Sequence, residues 1–98
     1  MIMSNSHAFL YLVNNMTGCA IGISDYSFSC VIYSESEELA RDWGITVAIQ
    51  FAAKFGFAPH GIKPSDDEIV YNSYIQHCPD PEGADHSCQV GEFPKSLG

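Results

Sequence analysis

The segment HCPDPEGADHSC gathers His77, Cys78, His86 and Cys88 within twelve residues, with Asp80, Glu82 and Asp85 between them. Two sulfurs and two imidazoles match the inventory of a tetrahedral zinc site. His86 and Cys88, two residues apart, point the same way on an extended chain, whereas the neighbours His77 and Cys78 point to opposite faces of a strand. The spacing also lacks the C-x2-C knuckle of a strong zinc signature. The metal reading is therefore a three-ligand site of Cys78, His86 and Cys88, with His77 or a water in the fourth position. Soft thiolate and imidazole donors favour zinc over calcium or magnesium, and the acidic loop is too irregular for an EF-hand. A Cys78–Cys88 disulfide is a second reading, and ordinary loop and edge residues are the simplest one.

The same residues could be arranged as a nucleophile pair, Cys78 with His86 or Cys88 with His77, oriented by Asp85. Such chemistry needs a lowered thiol pKa and an oxyanion hole, and nearby carboxylates raise a thiol's pKa instead. The chain contains no phosphate loop, dinucleotide fingerprint, G-x-S-x-G elbow or H-E-x-x-H motif. A non-enzymatic role without a cofactor is the expectation, with zinc as the alternative. His60 follows the long helix and reads as a solvated loop imidazole.

Twelve carboxylates face only Arg41, Lys54, Lys63 and Lys95, for a formal charge of -8, and residues 1–40 carry no Lys or Arg at all. Nucleic-acid binding rests on a basic stripe that releases counterions, and an anionic membrane surface also attracts only basic segments. Both partners are excluded on this basis. A negative surface instead speeds and orients the approach of a basic protein. The N-terminus has no basic leader, and its unbroken apolar run, residues 8–13, is too short to span a bilayer. The expected location is the cytoplasm, with the four cysteines reduced.

Ninety-eight residues, 46% hydrophobic and 16% charged, suit one domain with one core. His7 to Val13 is rich in β-branched and aromatic residues and precedes a run of turn formers, which describes a first strand. Cys19 to Ile23 and Tyr26 to Tyr33 flank Ser24-Asp25, so a tight hairpin would set Cys19 opposite Cys30 and Ile21 opposite Phe28 on one apolar face. Cys19 and Cys30 then read as buried thiols of the core.

Ser34 and Glu37 spell a capping box, and Glu35, Glu37 and Glu38 crowd a first helical turn. From there Leu39, Ala40, Trp43, Val47, Ala48, Phe51 and Phe55 fall on one stripe, with Gly44 near its middle as a point of close approach. Gly56 provides the C-terminal cap. Ile69 to Cys78 alternates like a strand, although Ser65 and Glu68 also spell a capping box for a helix. Residues 79–98 read as an irregular tail with a short strand between Ser87 and Phe93.

These elements add up to a single α+β domain over residues 1–98. It is a two-layer sandwich in which a mostly antiparallel sheet of about four strands, in β-β-β-α-β order, carries one long amphipathic helix on one face. Ile45 and Ile49, one turn apart on the polar side beside Ala53, form a small patch that suits a subunit or partner contact, or cover by the C-terminal tail. The functional expectation is a small acidic protein-binding domain of inhibitor, immunity or adaptor type, engaging another protein, a basic one or a second copy of itself. The alternative is a metal-binding or thiol-based regulatory domain using His77, Cys78, His86 and Cys88.

Overall fold

A computed structural model describes residues 7–15, 25–59, 61–77 and 86–95. The elements run β1 (His7–Asn15), β2 (Tyr26–Ser34), α1 (Glu37–Lys54), α2 (Asp66–Tyr71), β3 (Ser73–His77) and β4 (Ser87–Gln89). The four strands form one mixed sheet in the order β3-β1-β2-β4. β1 is antiparallel to both β2 and β3, while β4 lies parallel to β2. The architecture is the expected α+β sheet with one main helix across it.

Alternation sets which face carries the core, although Val31 on the other face of β2 is buried as well. On β1, Phe9, Tyr11 and Val13 are buried, and on β2 so are Tyr26, Phe28, Cys30 and Ile32. Period-two side chains place each set on one side of the sheet, and the register aligns them as Tyr11 with Cys30 and Val13 with Phe28. β2 therefore takes β1 as its neighbour from Tyr26 to Ser34. The expected strand at 19–23, and with it the Cys19–Cys30 pair, lies outside the described residues.

α1 covers this face through its small residues. Ala40, Gly44, Val47, Ala48 and Ala52 are its buried positions, while Leu39 and Phe55, at the ends of the expected stripe, are exposed. The reason lies at Gly44, where a Cβ would stand 2.5 Å from Cγ and Cδ1 of the Tyr11 ring. The helix axis sits so low over Tyr11 that only small side chains fit beneath it, and larger ones splay to the flanks. Trp43, Ile45, Ile49 and Phe51 are partly buried there and pack against the core.

The helix starts differently from the sequence expectation. β2 stays extended through Ser34, which pairs with His7, so the cap moves two residues on. Ser36 is the N-cap, and its side chain accepts a hydrogen bond from the Leu39 amide at 3.2 Å. Ser34 is buried, its hydroxyl donating to the Ser36 carbonyl and accepting from the Ser36 amide. Glu37 and Glu38 remain in the first turn, where the helix dipole favours them. At the other end Gly56 takes φ +79°, as a left-handed cap requires.

The stretch read as one strand from Ile69 to Cys78 divides in two. Ser65 and Glu68 form a complete capping box that starts α2, and the chain becomes extended only at Ser73. Both local signals are real and operate in succession. Among the described residues no helix is long and apolar enough to cross a membrane.

Candidate functional site

The two edges of the sheet hold the residues that could do work. At the β4 edge, Cys30 and Cys88 bring their sulfurs to 3.9 Å. Cys30 comes from the middle of β2 and is fully buried; Cys88 comes from β4 and is 5% exposed. β4 is held by the Val31 amide donating to the His86 carbonyl at 2.9 Å and the Val90 amide donating to the Tyr33 carbonyl at 3.2 Å. Trp43 closes this edge, with its indole N–H donating to the Glu92 carbonyl at 2.8 Å and its ring 5.0 Å from that of Phe93. A cleft of about 580 Å³ runs alongside, lined by Tyr33, His86, Cys88, Glu92, Phe93 and Lys95 among others.

The two thiols are not equivalent. The hydrogen bond shared with Cys88, together with burial, pushes the Cys30 thiol far above its ordinary pKa. Cys88 is lowered, chiefly by the hydrogen bond it shares with Cys30 and secondarily through the Trp43 indole, against the opposing effects of burial and the Glu92 carboxylate. Cys88 is therefore the first of the pair to lose its proton, and it is the one that lines the cleft.

Of the expected metal set, the structure sets His77 apart from Cys88. His77 pairs with Phe9, Phe9 with Ile32, and Ile32 with Cys88, so His77 and Cys88 end one cross-strand row at opposite edges. Three strand spacings put them about 14 Å apart. His77 instead stacks edge-on with Phe9 and His7. His86 sits among rings, 5.5 Å from Phe28 and 5.0 Å from Phe51. Cys78 lies outside the described residues, as do His60, Asp80, Glu82 and Asp85. Among the described residues, no three His, Cys, Asp or Glu side chains converge as a metal site would require. Sequence reasoning missed Cys30 as the neighbour of Cys88 because the pair is 58 residues apart.

The β3 edge is the opposite in character. Tyr71 is 88% exposed and Tyr74 is 64% exposed, with Val70 beside them also exposed. Their frame is fixed. Ile69 is fully buried, and the Tyr11 hydroxyl donates at 2.6 Å to Ser73 Oγ, which passes its own proton to the Ile69 carbonyl at 2.6 Å. Asn72 Nδ2 donates to the Tyr26 hydroxyl at 3.0 Å. Burial pushes the Tyr11 phenol up to about 12. Asp66, Asp67 and Glu68 occupy the first turn of α2, which has no basic residue in its last turn. β3 has β1 on one side and no strand on the other among the described residues.

Ile45 and Ile49, expected as a contact patch, pack partly buried against the core, and only Ala53 of the three is exposed. α1 is flanked by α2 and β3, so its polar side is narrower than the helical wheel implies. Comparison with protein-family models, with curated proteins and with solved structures finds no match to this chain.

Proposed function

We propose that this chain is a non-catalytic protein-binding domain whose α2–β3 surface receives a basic protein segment. The observation that carries the reading is the exposure of Tyr71 and Tyr74 on a backbone pinned on both sides by Ile69, Asn72 and Ser73. A tyrosine offers a large amphipathic contact at low entropic cost, and holding its backbone in place before binding reduces that cost further. The side of β3 that pairs with no described strand offers backbone groups to an added one.

Charge selects the partner. Asp66, Asp67 and Glu68 are exposed beside the tyrosines, and the whole chain carries -8. Two copies would repel one another, whereas a Lys/Arg-bearing segment gains both steering and rim contacts. This favours a basic partner over a homodimer.

A panel of extended peptides alternating Lys or Arg with apolar residues, titrated while backbone amide shifts are followed, tests the reading. Saturable shifts confined to residues 65–77, weakened by added salt and lost in Tyr71→Ser/Tyr74→Ser, are expected. No saturation at millimolar peptide, or shifts spread evenly over all acidic positions, refutes it. Sedimentation showing a dimer that the tyrosine substitutions dissolve replaces the basic partner with a second copy.

A further inference from the structure

We propose that Cys30 and Cys88 form a two-coordinate site for a soft d10 cation of the copper(I) class, entered from the cleft along the β4 edge. The pair is fixed by tertiary structure: adjacent parallel strands hold the sulfurs 3.9 Å apart in a nearly closed setting.

Register distinguishes metal binding from a disulfide. Cys88 stands opposite Ile32, so Cys30 is two residues out of step with it. With strands about 4.8 Å apart and a rise of about 3.3 Å per residue, the two Cα atoms lie about 8 Å from each other. That exceeds the roughly 7 Å beyond which a bridge needs backbone movement. A bridging ion has a longer reach, since two metal–thiolate bonds of about 2.3 Å span up to ~4.6 Å when collinear. The observed 3.9 Å lies inside that span.

Ligand number then selects the ion. Zinc requires four donors, and no third His, Cys, Asp or Glu joins the pair among the described residues. Thiolate softness selects copper(I) and its d10 relatives, which are content with two sulfurs. Calcium and magnesium demand six or more oxygen ligands, whereas this pair offers sulfur.

The binding step balances without redox chemistry. Two S–H bonds break, two metal–sulfur bonds form, and two protons pass to the buffer, with no electron transferred. Cys88 lines the cleft, so it meets the ion first, and Cys30 closes the coordination from beneath. The product carries one net negative charge. Because protons leave, affinity falls as pH is lowered.

The test is an anaerobic titration of the reduced chain with copper(I) against a colorimetric chelator, combined with X-ray absorption of the loaded protein. One ion per chain and a first shell of two sulfurs are expected. Cys88→Ser and Cys88→Ala should each weaken binding at least a hundredfold, and Cys19→Ser/Cys78→Ser should leave it unchanged within a few-fold. That double variant keeps the proposed pair intact, so its outcome stands even if the Cys88 variants fold poorly. The proposal is overturned by loss of the ion in Cys19→Ser/Cys78→Ser, by unweakened binding in Cys88→Ala, or by nitrogen or oxygen in the first shell. Ready formation of a Cys30–Cys88 disulfide by the folded chain in oxidised glutathione also overturns it, because the register argument would then be wrong. None of these outcomes involves Tyr71 or Tyr74.

Discussion

At the β3 edge the backbone is anchored from within while its tyrosines stand in solvent; at the β4 edge Cys88 turns inward to Cys30, and Trp43 and Phe93 pack together alongside. Both edges belong to the same sheet and flank the same helix. The difference comes from the segments that adjoin the two edge strands. β3 is preceded by a helix whose capping box and buried Ile69 leave its last turn projecting outward. β4 is three residues long, and its continuation returns across Trp43 through the Glu92 carbonyl. An edge can thus be made available to another chain, or protected by folding the tail over it.

Removing the cover tests this contrast most severely. Trp43→Ala takes away a partly buried indole, its bond to Glu92 and its contact with Phe93, and should lower unfolding free energy by about 3 kcal/mol in a denaturant titration. Cys88 should then alkylate faster in the folded state, while shifts at the β3 edge stay in place.

The next effect concerns the β3 frame and appears with pH. Tyr11 titrates near 12 in the native state against 10 when unfolded. The neutral phenol is thus favoured by folding, and its contribution is whole below pH 10 and disappears as pH rises through 12. The linkage amounts to roughly 2 to 3 kcal/mol. Stability curves between pH 9 and 12 should show the decline, and Tyr11→Phe should make it shallower, the remainder coming from Tyr26 and the Cys30 thiol, whose pKa values are also raised in the fold.

Ser65→Ala breaks the capping box of α2 and should cost about 1 kcal/mol. Amide exchange should accelerate over residues 66–71 and leave β4 untouched. The smallest effect on stability is expected of Tyr71→Ser and Tyr74→Ser, within about 0.5 kcal/mol of the parent chain because both side chains are exposed. If these exposed positions cost as much as Trp43→Ala, they belong to the core and the contrast between the edges fails.

Local chemistry was legible wherever its causes are local. The alternation of β1 and β2, the helix over 37–54, the glycine cap at 56 and the short strand at 87 all arise from neighbouring side chains. Ser34 and Ser65 show where such reading stops. Both begin an S-x-x-E pattern, yet only Ser65 caps its helix, because Ser34 is held in the sheet by His7. A cap motif competes with strand pairing, and a partner 27 residues away decides the result.

The candidate sites were less legible for the same reason. His77, Cys78, His86 and Cys88 are close in sequence, but closeness along the chain does not survive when the described ends belong to opposite edges of a sheet. Composition and periodicity determined the acidic α+β character of this protein, since charge and amphipathic spacing depend only on the order of residues. Tertiary structure alone decided that Cys88 meets Cys30 and that Tyr71 and Tyr74 face solvent. Strand order and register are settled by contacts summed over the whole core, and no segment contains them by itself.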